Sequence, residues 1–271
     1  MDNVISLKFK GSRREYYQNF LELPFEIGDY AVVEVENGED MGVITQRNLS
    51  VAEALVKKER RILRKGSTND LQQLNENQKK EADAFVFALT KVEKRRLEMK
   101  LTDVEYQMDR KKVTFYFTAD NRIDFRELVK DLAAEYKIRI ELRQIGPRDE
   151  AKRHDGCGVC GLTLCCSTWM SGFEPINTQM AKEQDLPINP SRLAGVCGRL
   201  KCCLRFEHDF YSEAMNYFPK VGTKIRIDKG EIEVAKLDIF RELVYIRYPT
   251  EEWEAVKLTD FNSRYDVTAS N

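Results

Sequence analysis

Apolar and polar residues alternate through the first part of the chain. In Ile5-Ser6-Leu7-Lys8-Phe9 every second side chain is apolar, the period of a strand with one buried face. "GDYAVVEV" and "MGVITQ" flank "ENGED", where Asn37-Gly38 is a hairpin signal. Residues 3–47 therefore predict a small β-barrel or β-sheet. From Val51 the period lengthens. "SVAEALVKKERRILRK" predicts a helix ending at Gly66, and "STND" supplies N-caps for a second. Leu71, Leu74, Ala82, Phe85, Leu89 and Val92 fall on one helical stripe. The expectation is a helical hairpin or one broken long helix over 51–99. Residues 102–146 then read β-β-α-β. Val113, Phe115 and Phe117 alternate with polar neighbours, and Asp124 with Glu127 forms a capping pair before an apolar face of Leu128, Leu132 and Tyr136. "IRIELRQI" alternates again, with Ile138, Ile140 and Leu142 inward.

The pattern then lapses. Residues 154–205 carry six glycines and three of the prolines and show one short helical stretch near 178–185. A loop of that length does not order itself by burial alone. A short amphipathic helix follows at 206–218 (Phe206, Phe210, Met215, Phe218). "VGTKIRID", "GEIEVAKL" and "LVYIRYP" then predict strands of a second small barrel. The fold class is α+β: an N-terminal small β-barrel or sheet (1–50), an α+β domain with a helical hairpin (51–150), a cysteine-rich metal-binding loop (151–206), and a C-terminal helix with a small β-barrel (207–271).

Composition adds a local polarity. The formal net charge is −1, but residues 13–53 hold three Lys/Arg against nine Asp/Glu, and residues 55–100 hold thirteen against seven. Residues 137–205 hold eleven against seven, and 207–271 nine against thirteen. A basic middle between acidic ends suits an acidic partner at the centre. The start "MDNVISLKFK" has no apolar leader, and no apolar run approaches the roughly 18 residues of a membrane span. The expectation is a cytoplasmic chain whose thiols are reduced or metal-bound rather than paired.

All seven cysteines lie in 157–203, in or beside "CGLTLCC" and "CGRLKCC". Thiolates are soft donors that select zinc, copper(I) or iron–sulfur clusters. Cys157-x-x-Cys160 places two sulfurs on one centre and suits zinc and iron equally. Neighbouring side chains diverge by about 100° on a helix or 180° on a strand. The doublets Cys165-Cys166 and Cys202-Cys203 therefore offer ligands in two directions. A closed site takes four ligands, so seven leave three for a site that a partner completes. His154 is a further nitrogen donor or a plain surface residue. The rival readings are a redox pair, which needs a βαβ frame that is not visible here, and buried structural thiols, for which this Gly/Pro-rich segment has little core.

"RHDGCGVCGLTLCC" followed by "MAKEQDLPINPSRLAGVCGRLKCCLRFE" resembles the RicT (YaaT) family of stage 0 sporulation proteins, within the group sharing a polymerase-suppressor-type C-terminal domain. The resemblance runs over nearly the whole chain and is most specific in 153–207. It implies a non-catalytic subunit of a ternary complex with two small helical proteins, RicA (YmcA) and RicF (YlbF), carrying 4Fe-4S clusters. It further implies an association with ribonuclease Y, mRNA processing, sporulation, competence and biofilm formation. By resemblance the cluster ligands are Cys157, Cys160, Cys165, Cys166, Cys197, Cys202 and Cys203. The alternative is a zinc-binding, nucleic-acid-binding protein acting alone; a third reading is a thiol redox protein.

Lys57, Lys58, Arg60, Arg61, Arg64 and Lys65 form a basic cluster that suits RNA phosphates or simply a solvated helix face. Arg139, Arg143, Arg148, Lys152 and Arg153 lead into the cysteine segment, where they either lower thiolate pKa values and offset cluster charge or form a plain charged surface. Trp169 and Phe173 shield a centre or fill loop volume. With histidines only at 154 and 208, and no phosphate loop ending in Gly-Lys-Ser/Thr, the chain reads as no enzyme.

Overall fold

The computed structural model describes residues 3–36, 38–49, 61–227 and 230–265. The chain divides into two compact units: Met1–Gly172 with Val196–Arg199, and Phe173–Gly195 with Leu200–Asn271.

The first unit opens on a five-stranded antiparallel sheet. Its strands are β1 (Val4–Lys8), β2 (Arg14–Gln18), β3 (Tyr30–Val35), β4 (Gly38–Leu49) and β5 (Ile62–Lys65), in the order β2-β1-β4-β3-β5. The sheet stays open, so of the two expectations the sheet holds and the barrel does not. Ile5, Leu7, Tyr17, Ala31, Val33 and Ile44 build its core. The helix expected before Gly66 is corrected in part. Residues 50–60 lie outside the described residues, and Ile62–Lys65 is a strand paired with β3. Ile62 is buried and Arg64 and Lys65 are exposed, so the short apolar run serves a sheet edge and not a helix face.

The second helix expected from "STND" is α1 (Thr68–Lys94), and the segment just before it, Ile62–Lys65, is a strand and not the first arm of a hairpin or long helix. Ser67 caps α1 in a capping box: its Oγ accepts from Asp70 N at 3.3 Å, and its own N–H donates to Asp70 Oδ2 at 2.8 Å. The buried face runs through Asn77, Glu81, Ala84, Ala88 and Val92. Ala82 and Leu89 of the expected stripe point outward. The small alanines let α1 lie close on the next sheet, where larger side chains would hold it off.

That sheet is the expected β-β-α-β unit: β6 (Lys100–Tyr106), β7 (Lys112–Thr118), α2 (Arg126–Tyr136) and β8 (Arg139–Gln144), with β7 and β8 parallel. Val104, Val113, Phe115, Leu128 and Leu132 join Ala84, Ala88 and Val92 in one core. The capping pair differs from expectation. Phe125 is the N-cap with no side-chain hydrogen bond, and Asp124 accepts from Arg126 N at 3.1 Å. Next, α3 (Pro147–His154) packs on the turn Lys10–Ser12 between β1 and β2.

The Gly/Pro-rich segment is more helical than its composition suggests. It holds α4 (Cys165–Thr168), α5 (Thr178–Glu183) and α6 (Pro190–Leu193). The second unit continues with α7 (Cys202–Met215), and Ala181, Leu193 and Leu204 pack α5, α6 and α7 together. Phe206 and Phe210, expected on a buried face of this helix, are exposed; Phe218 beyond it is buried. The unit ends in β9 (Lys224–Ile227), β10 (Gly230–Asp238), β11 (Leu243–Arg247), β12 (Trp253–Lys257) and α8 (Leu258–Tyr265). These strands form an antiparallel meander in the order β12-β11-β10-β9, an open sheet where a barrel was expected. Ile232, Val234, Val244, Ile246 and Phe261 form its core.

Candidate metal centre

Two knuckles, each a tight turn running into a helix, carry every cysteine. At the end of α3, Asp155 (φ 58°) and Gly156 (φ 121°) swing the chain out. Cys157 bridges to Thr163, Gly158 N donates to Leu162 O at 2.8 Å, and Leu164 N donates to Gly156 O at 3.0 Å. α4 then starts at Cys165. In the second knuckle Ala194 bridges to Leu200, Lys201 N donates to Leu193 O at 2.9 Å, and α7 starts at Cys202. The turns repeat at matching positions. Gly161 and Gly198 have φ of 78° and 74°, and the N-caps Leu164 and Lys201 have ψ of 126° and 133°. Only glycine takes such φ values without strain, which is why Cys-Gly recurs in both copies. Cys160, Cys165 and Cys166 thus correspond to Cys197, Cys202 and Cys203, and Ala194 stands where the first knuckle has Cys157. The odd total of seven is a repeat lacking one thiol. The regular offset between "CGLTLCC" and "CGRLKCC" was visible in the sequence; the shared backbone turn was not.

The thiols differ in setting. Cys157 and Cys160 are exposed; Cys165, Cys197, Cys202 and Cys203 are half-buried; Cys166 is buried. The first knuckle and the tip Val196–Arg199 belong to the first unit, and Cys202 and Cys203 to the second. Within the first unit Cys197 comes within electrostatic reach of Cys166. Burial pushes the Cys166 thiol up, Cys197 adds to this, and Lys152 and Arg148 pull the other way. Of the basic run expected to serve the thiols, these two do so. Arg153 turns away, bonding Asp103 at 2.7 Å and Glu105 at 3.3 Å over the Tyr116 ring. A latch that sequence reasoning missed closes the first knuckle: Ser167 Oγ donates to Asp155 Oδ1 at 2.6 Å and holds that carboxyl below its ordinary range. His154 is exposed at the end of α3.

The donor chemistry fits a thiophilic centre: seven thiols, none in a disulfide, with two cations beside the buried one. Among the described residues no three of the Cys, His, Asp or Glu side chains converge as an ion site. Trp169, just after the first doublet, is 51% exposed.

The basic cluster looks different once placed. Lys57, Lys58 and Arg60 lie outside the described residues. Arg61 is exposed, Arg64 pairs with Asp70, and Lys65 pairs with Asp29 at 2.6 Å. Near α7, His208 Nε2 stands 2.6 Å from Glu183 and its Nδ1 3.5 Å from Ser212 Oγ, a contact too long to activate the hydroxyl.

The stretch from β5 to β8 and the stretch through α5, α6 and α7 match those of PSP1-type proteins. The model of the PSP1 C-terminal conserved region matches residues 60–145, and that of the PSP1-like protein third domain matches 175–218. The chain is 43% identical over 253 residues to the Stage 0 sporulation protein YaaT of Bacillus subtilis, covering 93% of this chain and 92% of that one. It therefore belongs to the YaaT (RicT) family. More distant relatives are an uncharacterized Schizosaccharomyces pombe protein, 35% identical over 51% of this chain and 22% of its own, and Protein PSP1 of Saccharomyces cerevisiae, 42% identical over 27% and 9%. No solved structure matches. Among the described residues no helix is long and apolar enough to cross a membrane.

Proposed function

We propose that the chain is a non-catalytic regulatory subunit acting in sporulation, which binds 4Fe-4S clusters through its two cysteine knuckles. Its partners would be small helical proteins of the RicA (YmcA) and RicF (YlbF) type, and the complex would act on ribonuclease Y-dependent mRNA processing, competence and biofilm formation. The sporulation role rests on the likeness to YaaT. The observation that carries the cluster reading is the repeat itself, four thiols in one knuckle and three in the other, with backbone turns that match.

Cys157, Cys160, Cys165 and Cys166, with Cys197, Cys202 and Cys203, would hold the inorganic centres. A bound cluster supplies an oxygen-labile cross-link between thiolates. Lys152 and Arg148 would offset thiolate charge at Cys166. Gly161 and Gly198 bend the chain, and Ser167 pins the base of the first knuckle. Partner docking is supported by Val159, Leu162 and Val196 at the knuckle tips, 71%, 70% and 56% exposed. Apolar side chains beside the exposed thiols of Cys157 and Cys160 suit a surface that another protein covers.

The test is iron and acid-labile sulfide content of the chain, of each small helical partner, and of the assembled complex, all purified without oxygen. The proposal expects more iron in the complex than in the separate subunits together. Equal iron rejects the shared site. Zinc in place of iron favours the alternative, a zinc protein acting alone.

A further inference from the structure

A cavity of about 490 Å3 opens in the first unit, on the face of β6, β7 and β8 turned away from α1 and α2. That volume is in the range of small-molecule sites. Gln107 lines it and is 6% exposed, yet neither its Oε1 nor its Nε2 has a hydrogen-bond partner. The large majority of buried side-chain amides are satisfied, because a bare buried donor or acceptor has lost its water without gaining a partner. Gly38 leaves room for it: a Cβ there would sit 2.3 Å from Gln107 Nε2.

The wall beside Gln107 is short of positive charge. Arg13 pairs with Glu15 at 2.9 Å, Asp40 at 2.6 Å and Glu105 at 3.5 Å. The same network continues through Arg153 and Lys10 to Asp103 and Glu81. Among the side chains lining the cavity itself, the carboxylates Glu15, Glu36, Asp40, Glu105 and Glu141 stand against the cations Arg13, Lys112 and Arg143. Asp40 registers the deficit: burial, with Glu105 adding to it, pushes its carboxyl up to about 6 despite the Arg13 partner. At the rim Lys112 is matched by Glu141 at 3.1 Å, whereas Glu36 and Arg143 have no ion pair among the described residues. An anion would be drawn by Arg143 alone and repelled by the wall.

We propose that this cavity binds a small organic cation, an alkylammonium or alkylguanidinium group, whose N–H donors take Gln107 Oε1 and the carboxylate wall of Glu15, Asp40 and Glu105. A free polyamine and the side chain of an arginine on another protein share this chemistry.

Calorimetric titration of the full chain with spermidine, agmatine and a capped Gly-Arg-Gly peptide tests it, with inorganic phosphate and AMP as anions. Saturable 1:1 binding of at least one cation is expected, with none of the anions. Tighter binding of the peptide than of agmatine assigns the source to a protein side chain; the reverse assigns it to a free amine. Gln107→Leu should abolish binding without lowering the melting temperature, because it removes a bare amide. Glu36→Gln should weaken binding about tenfold, and Arg143→Ala should tighten it several-fold; both residues are exposed, so the fold survives. The proposal is overturned if no cation binds saturably, if phosphate or AMP binds and Arg143→Ala abolishes that, or if Gln107→Leu and Glu36→Gln leave cation affinity unchanged.

Discussion

Arg153 is the residue by which α3, and through it the first knuckle, is fastened to the rest of its unit, so Arg153→Ala is the sharpest structural perturbation. Its side chain is 8% exposed, donates to Asp103 and Glu105, and lies with its guanidinium carbon 3.3 Å from the Tyr116 ring centroid. Gly11 makes the space: a Cβ there would meet Arg153 Nη1 at 2.5 Å. Removing one partner of a buried pair costs about 3–5 kcal/mol, because the opposite charge stays behind unpaired. Asp103 is 21% exposed and Glu105 retains Arg13, so the low end applies, about 3 kcal/mol. For a chain of this size that lowers the melting temperature by roughly 6–12 °C. Urea denaturation followed by circular dichroism measures the loss directly. A cycle with Glu105→Gln isolates the pair, and the double variant should recover at least 1 kcal/mol relative to additivity. A loss below about 1 kcal/mol for Arg153→Ala, or strict additivity in the cycle, refutes the anchoring role.

Asp40 titrates in the sense opposite to a normal ion-paired carboxylate. Its folded pKa of about 6 lies above its unfolded value, so the folded state holds the extra proton, and Asp40 destabilises the chain as pH rises through that window. Asp40→Asn should therefore gain roughly 1 kcal/mol at pH 7.5 and lose that gain near pH 4, read from melts across that range. Gly161→Ala and Gly198→Ala force a Cβ into left-handed backbone and should each cost about 1–2 kcal/mol, seen as faster reaction of the knuckle thiols with a thiol reagent. Cys160→Ser and Cys197→Ser, at matching positions of the two copies, should each lower iron per complex while leaving the circular dichroism of the chain unchanged.

Strand alternation made the β-β-α-β unit readable, because Val113 and Phe115 face one core and Phe117, two residues on, is buried as well. On α1 the helical stripe holds at Leu71, Leu74, Phe85 and Val92, which pack on the cores, and fails at Ala82 and Leu89. Large apolar residues were expected to mark its buried face, but the close approach to the sheet selects Ala84 and Ala88, and Glu81 is held there by Lys10 at 2.7 Å and Tyr106 N at 2.8 Å. Residues 62–65 look helical from their neighbours because four residues are too short to establish a period, and pairing with β3 decides their state. In the knuckles the cysteines and glycines were legible one by one. What the sequence hid were the contacts made at a distance: Ser167 on Asp155, Arg153 on Glu105, and the bare amide of Gln107.

The central claim is that the repeated knuckles hold iron–sulfur clusters. Mössbauer spectroscopy of the iron-57-labelled complex, purified without oxygen, tests it most directly. The expected spectrum is that of 4Fe-4S centres, with an intensity that falls when either knuckle loses its cysteines to serine. A complex that assembles with full activity and no iron spectrum, or whose iron persists without both knuckles, contradicts it.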